Sequence, residues 1–192
     1  MGAPLSTLYA ELAANKIAQK LEDLMFTNTS YSFGGGVIYS YVNFPDRNAV
    51  NLAVDWDNAA ITAALILADV LAMKQALLDV HKNGPYMLYV PRAYDTQLDA
   101  DYNIAVPGVT IRDRIKMVDG ISGVHVVDRL AANTVLLVEM QKSTVRLLNG
   151  LPLQNIMWSE EGKFVNKFKV ITIQIPEIRS DMDGNCGVCV LS

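Results

Sequence analysis

GPYMLYVPRAYDTQLDADY (residues 84–102), TIRDRIKMVDGISGVHVV (110–127) and NTVLLVEM (133–140) make up the stretch whose reading decides the fold. Residues 86–90 are continuously apolar, as a strand covered on both faces is. Residues 91–100 and 110–118 read as short helices, and 123–127 and 134–139 as two further strands. Pro107-Gly108 and Asp119-Gly120 are turn dipeptides between them. Ahead of this stretch, residues 58–81 read as a long helix. It stops at Asn83-Gly84-Pro85, because glycine after the last turn and proline one step later block continuation. Ile61, Leu65, Ala68, Ala72 and Leu78 leave this helix little polar face, so it is expected to be buried on most sides.

Outward from there, residues 5–25 read as a helix about 30 Å long at 1.5 Å per residue. Leu8, Leu12, Ile17, Leu21 and Leu24 fall near one face. Phe33-Gly34-Gly35-Gly36 is read as a flexible break, residues 37–42 as a strand, and Phe44-Pro45-Asp46-Arg47-Asn48 as a turn. Beyond Met140, residues 144–148 and 152–158 look like short strands, 160–163 like a polar hairpin turn, and 164–175 like a longer strand with imperfect alternation. Asp181-Met182-Asp183-Gly184 is a turn, and 186–191 a closing strand. Helices and strands mix without a regular βαβ period, which argues an α+β fold.

Composition narrows the function classes. The chain has 192 residues, 51% of them hydrophobic and 19% charged, so it is globular, with room for one large domain or two small ones. A net charge of −4 gives no general affinity for nucleic acid. The first residues lack a basic segment followed by an apolar core, so no signal peptide is expected. The longest apolar run, near residues 59–68, is too short for a bilayer, which needs roughly 20 apolar residues. A soluble protein made in a cytoplasm is the expectation, with no membrane partner.

Cys186 and Cys189 are the only cysteines, so there is no disulfide framework. Their C-x-x-C spacing matches a redox motif, but no helix follows to lower a thiol pKa. Two cysteines alone are half a zinc site, and His81 and His125 lie far away in sequence. Packed, non-catalytic thiols are the reading, with a small thiol oxidoreductase as the enzymatic alternative. Cys189-Val190-Leu191-Ser192 fits a prenylation pattern but lacks the flexible basic tail that such a signal hangs on. Gly34-Gly35-Gly36 is no phosphate loop, since no G-K-[ST] follows. Asp181 to Gly184 is too short for a calcium loop and lacks its closing glutamate. Glu160-Glu161 and Asp181/Asp183 read as solvated acidic pairs. Lys163, Lys167 and Lys169 make a weak basic stripe suited at most to loose contact with nucleic acid. No catalytic, cofactor-binding or metal-binding residue is nominated, and no cofactor.

The element order of residues 84–140 resembles the axial domain of tailed-phage major capsid proteins and the related encapsulin shells. The first helix, AELAANKIAQKLEDLMF (10–26), is similar to the long spine helix of those subunits, which often ends in an acidic pair leading to a phenylalanine, here Glu22, Asp23 and Phe26. Residues 147–190 look like the return to a peripheral domain, with Trp158, Phe168 and Arg179 matching a tryptophan-bearing strand, a long strand and an arginine before the last strand. The resemblance covers nearly the whole chain in order and rests on element order and apolar pattern, without a catalytic motif. It implies a phage major capsid (encapsulin-like) fold, with a peripheral domain (1–57 and 141–178, spine helix 5–25) and an axial domain (58–140 and 179–192).

The function implied is that of a structural, non-enzymatic subunit of an icosahedral capsid, assembling with copies of itself into pentamers and hexamers around double-stranded DNA. Scaffolding and portal proteins would be further partners, packaged DNA a weak non-specific contact, and the virion capsid its location after synthesis in the host cytoplasm. A protein-filled encapsulin nanocompartment is the alternative. Family members usually carry an N-terminal arm and an extended two-stranded loop before the spine helix. This sequence starts almost at that helix, so such parts are expected to be lacking. Tyr39, Tyr41, Tyr94, Tyr102, Arg112 and Arg114 are residue types suited to subunit interfaces.

Overall fold

The computed structural model describes residues 5–103, 108–160, 162 and 165–192. Helix α1 spans Leu5–Phe26 and leads to a small hairpin, β1 (Tyr31–Phe33) and β2 (Gly36–Ile38). Next come β3 (Asn48–Val50), helix α2 (Ala63–Asp79) and β4 (Tyr86–Pro91), then a 3-10 turn over Arg92–Tyr94 that runs into α3 (Asp95–Leu98). Helix α4 (Ile111–Lys116), β5 (Ile121–Val127) and β6 (Val135–Glu139) follow. Two long strands, β7 (Val145–Glu160) and β8 (Val165–Ile178), and a short last one, β9 (Val188–Leu191), complete the chain.

Five strands form one mixed sheet in the order β3-β9-β6-β4-β5. β4 and β5 are parallel, as are β3 and β9, while β6 runs antiparallel to both β4 and β9. The inner strands explain their own apolar runs. Val135 and Leu137 of β6 join Cys189 and Leu191 of β9 in a core beneath α2, α3 and α4. The alternate residues Leu136, Val138, Val188 and Val190 face the opposite side, where Phe26 at the end of α1 and Val145 at the base of β7 cover them. Every residue of β6 and β9 is therefore buried, as period-two alternation requires of a strand covered on both faces.

β7 and β8 pair with each other as a separate two-stranded antiparallel ribbon. α1 lies along it, with Tyr9 stacked on Phe168 at 6.4 Å between ring centroids. The fold is thus a mixed-sheet lobe from which a helix-and-ribbon arm extends.

Five expectations are corrected. Helix α2 is shorter than residues 58–81, because Thr62 caps it, accepting a hydrogen bond from the Leu65 N–H. It is also covered on one face only: Ile66, Val70, Met73 and Leu77 are buried, while Leu65 and Leu71 are exposed. The two short strands expected over 144–158 are one strand, bent by register shifts between Asn149 and Leu151 and between Leu151 and Gln154. The glycine run is a turn rather than a flexible break: Gly34 and Gly35 take φ values of +59° and +84°, which close the β1–β2 hairpin. The strand expected over 37–42 accordingly shrinks to Gly36–Ile38. The polar turn expected at 160–163 and the Pro107-Gly108 turn fall partly on residues 161, 163 and 107, outside the described residues.

Candidate assembly surface

The described residues do not gather chemistry-bearing groups at one place. Cys186 and Cys189 are both fully buried and unpaired. They belong to different cores on opposite sides of the sheet, Cys186 with Phe26 and Val138, Cys189 with Leu88 and Leu137. Burial pushes the thiols up, to about 11 for Cys186 and about 12 for Cys189. Thiols so held are neutral and poorly nucleophilic at pH 7, the reverse of a redox pair. Cys189 also lies inside β9, paired with Asn48 and Leu137, so the C-terminal prenylation pattern sits within a sheet. Among the described residues no three His, Cys, Asp or Glu side chains stand together to hold a metal, and no helix is long and apolar enough to cross a membrane.

The polar groups that are buried do structural work. Glu139 is 3% exposed at the end of β6. Its Oε2 accepts from the Thr144 hydroxyl at 2.6 Å and its Oε1 from the Gly84 N–H at 3.2 Å, while its own N–H donates to the Gly187 carbonyl at 2.8 Å. This node ties the loop after α2 to the start of β7 and the approach to β9. Asp181 accepts from the Asp183 and Asn185 N–H groups and faces Lys82 at 3.7 Å, so it closes its own turn.

Most of the aromatic and arginine side chains nominated for interfaces are used inside the chain. Tyr94 is a core residue, fully buried with its ring 5.4 Å from Trp56. Tyr41 packs edge-on against Phe26 at 5.5 Å, and burial pushes its hydroxyl up to about 12. Tyr39 meets Phe44 at 6.1 Å, and Tyr102 lies beneath Arg114 at 5.9 Å. Arg112 pairs with Asp95 and with Asp99, fastening α4 to α3. Of the basic stripe, Lys167 and Lys169 lie exposed on β8, and residue 163 falls outside the description.

What the arm does expose is apolar. Cross-strand partners share a face of a ribbon. The register therefore puts Met157 with Phe168, and Asn155 with Val170, on the side toward α1. The other side carries Ile156 opposite Lys169, Leu151 opposite Ile173 and Leu148 opposite Ile175. Ile156, Ile173 and Leu148 are 44%, 58% and 42% exposed. On α1, Leu8 and Leu12 are also about half exposed, although they fall near the apolar face in sequence. The β1–β2 hairpin adds Tyr31, Val37 and Phe33, the last 79% exposed. Scattered exposed apolar residues are ordinary, but a contiguous set on one element marks an interaction surface.

Residues 9–190 match the model of DUF6260, a family of unknown function. The chain belongs to that family. No curated protein matches this DUF6260 sequence. Among solved structures it is similar to the virus-like particle from Pyrococcus furiosus, with a TM-score of 0.59 and 18% identity over 78% of this chain and 57% of that one. It is also similar to the capsid of Myoviridae Phage XM1, with a TM-score of 0.69 and 10% identity over 98% of this chain and 65% of that one. At such identities the likeness establishes a capsid-type fold. The DUF6260 chain spans 57% and 65% of the length of these two structures.

The ribbon residues Ile156 and Ile173 and the hairpin residue Phe33 were not singled out from sequence. A signal for the ribbon was present: Ile171, Ile173 and Ile175 make one alternating set of the strand apolar, although the strand lies in no stacked sheet. For the hairpin, Gly34-Gly35-Gly36 carries no apolar period, so nothing local marks Tyr31 and Phe33 as exposed.

Proposed function

We propose that this chain is a structural subunit of a phage-type icosahedral capsid, self-assembling into pentamers and hexamers that enclose double-stranded DNA. The observation that carries the reading is the capsid-type fold joined to an arm with an uncovered apolar face. The area supports it. The chain exposes 11405 Å², against roughly 9,000 Å² for a compact monomer of 21.1 kDa by the usual surface scaling. The excess, roughly 2,400 Å², is of the size that permanent interfaces bury, about 2,000 Å² or more in total.

In this reading the mixed sheet with α2, α3 and α4 is the axial domain (58–140 and 179–192). The spine helix α1 and the ribbon are the peripheral domain (1–57 and 141–178), with β3 reaching over to pair with β9. Contacts between copies are head-to-tail, because the exposed surfaces differ from edge to edge, and such contacts close into rings when the rotation allows. The subunit is non-enzymatic. Its partners are its own copies, then scaffolding and portal proteins, with loose contact to packaged DNA, and it resides in the virion after synthesis in the host cytoplasm.

The test is electron microscopy and native mass measurement of the purified full chain, expressed alone and with neighbouring genes of its source. Closed shells of uniform diameter are expected, holding nuclease-protected DNA when packaging proteins are present. A monomer at every concentration and salt condition tried would overturn the reading. The second reading, a protein-filled nanocompartment, is favoured by the similarity to a virus-like particle. Shells that co-purify with one protein cargo and no DNA would select it.

A further inference from the structure

We infer that the β1–β2 hairpin and the groove beside it are the two halves of one contact between copies of this chain, with Phe33 of one copy seated in the groove of the next. The inference rests on the shell reading and says where one of its contacts lies.

The first observation is compositional. Residues 24–45 contain no charged side chain in a chain that is 19% charged overall, and they hold six of its eight Tyr and five Phe residues. Depletion of charge with enrichment of Tyr and Phe is the signature of an interface centre. The second is exposure. Phe26 is buried and Tyr41 packs on it, so the base of this segment is part of the core. Its tip is not: Phe33 is 79% and Tyr31 53% exposed. The hairpin that presents them has only three paired positions, Tyr31 with Ile38, Ser32 with Val37 and Phe33 with Gly36. A two-stranded hairpin of that size is marginal in water by itself.

The third is the complementary hole. An open groove of about 350 Å³ lies between the hairpin's own β2 and the base of the ribbon, lined by Ile38, Tyr39, Phe44, Leu148 and Ile175, with Glu177, paired to Arg146, as a charged group on its wall. A cavity of roughly 150 Å³ with apolar walls already takes a benzene ring, so a phenylalanine fits. Phe33 pairs with Gly36 at the hairpin turn, and the structure leaves its ring outside the groove. A ring from another molecule can fill it. Because knob and hole belong to the same chain, one rotation carries the knob of each copy to the hole of its neighbour, the head-to-tail arrangement that builds rings. The surface excess of roughly 2,400 Å² over a compact monomer follows from the extended arm and leaves room for contacts of this order.

The experiment compares the full-length chain with Phe33→Ser, Phe33→Leu and the pair Phe33→Cys plus Leu148→Cys. Assembly is followed by light scattering, native mass and microscopy, and folding by circular dichroism and the melting temperature. We expect Phe33→Ser to keep the monomer's spectrum and melting temperature while raising the concentration needed for assembly at least tenfold. Phe33→Leu is expected to stay within threefold of the parent. Mild oxidation of the double-cysteine chain, assembled, is expected to give covalent multimers in a ladder on a non-reducing gel. If Phe33→Ser assembles like the parent and the cysteines bond only within a chain or not at all, the contact is overturned while the shell reading stands. A parent chain that never assembles overturns both, whereas a groove that takes only a different protein overturns the contact alone.

Discussion

The lobe and the arm are built from similar residues and treat them in opposite ways. In the lobe, Leu88, Leu136, Leu137 and Leu191 are fully buried and the sheet is covered on both faces. In the arm, Leu147, Leu153, Ile156 and Ile173 stand between 44% and 58% exposed on a ribbon two strands wide. At roughly 25 cal/mol per Å² of apolar surface, the lobe realises its hydrophobic free energy within one chain and the arm does not. Grooves of about 350 and 250 Å³ between α1 and the ribbon point the same way, toward an arm that is incompletely packed as a monomer. Under the proposed shell reading, a fold divided in this manner assigns stability to one part and association to the other.

The sharpest way to break that division is a matched pair of substitutions. Leu137→Ala in the lobe removes a fully buried side chain from the main core, and should lower the unfolding free energy by about 2–5 kcal/mol. Ile173→Ala in the arm should change the unassembled chain's stability by less than about 1 kcal/mol while weakening assembly. Urea melts of both variants at a concentration below assembly decide the matter. Equal losses would mean that the arm is already part of one cooperative core.

Next comes Gly187→Ala. A Cβ there would stand 2.6 Å from the Thr144 Cγ2 and 2.8 Å from the Glu139 side chain, in a node whose hydrogen bonds leave no slack. Overpacking of this kind costs about 1–3 kcal/mol. Assembly should suffer only in proportion to folding. A variant with parental urea midpoint but no shells would tie the node to association and blur the line between the two regions.

The lobe was far more legible in sequence than the arm, for a physical reason. Strand 86–90, the two strands after it and the stop at Gly84-Pro85 each announce themselves through local chemistry: continuous apolar runs, or a residue pair that cannot continue a helix. β3 was invisible, because three residues pair in parallel with a strand about 140 positions away, and nothing local encodes that. The exposed face of α2 was misread for a related reason. Leu65 and Leu71 look like core residues in any periodic pattern, and only the absence of a covering element in the single chain leaves them in water. The register shifts in β7 fall at Asn149–Gln154, where one strand of 16 residues read as two short ones. The missed surface residues Phe33, Ile156 and Ile173 share one property: an interface looks like a core until one knows what covers it.

Alkaline pH offers a subtler probe, because the groups that burial shifts upward belong to the lobe and its junction. Cys186 and Cys189 are raised to about 11 and 12 and Tyr94 to about 12, each chiefly by burial. A raised folded pKa means that the unfolded chain loses its proton first. The stabilisation is therefore complete below the unfolded values, near pH 9 for the thiols and 10 for the tyrosine, and is lost as pH rises through those values toward 11 and 12. Each group can remove up to about 1.4 kcal/mol per pH unit within its window. The melting temperature of the unassembled chain should hold between pH 7 and 8.5 and fall steeply above pH 9. In Cys189→Ala the fall should begin at the same pH, because Cys186 still titrates in the unfolded chain, but be shallower. An unchanged alkaline profile in that variant would mean that the thiol is not held neutral in the core.

The smallest effect expected concerns the Thr62 cap of α2, which lies on the lobe's open face. Thr62 accepts from the Leu65 N–H through its side-chain oxygen at 3.3 Å, and Thr62→Ala should destabilise the chain by about 1 kcal/mol, the usual value of an N-cap. The helix beyond it buries Ile66 and Leu67 in the lobe core but leaves Leu65 48% exposed. Fraying of the first turn therefore loosens both a core contact and an uncovered surface at once. Hydrogen exchange separates the two consequences. If α2 works for the lobe alone, the first-turn amides of Thr62→Ala exchange equally faster in free and assembled chains. Exchange that is faster only in the free chain would mean that a neighbouring copy covers Leu65 on assembly, and α2 would then belong to both halves of the division.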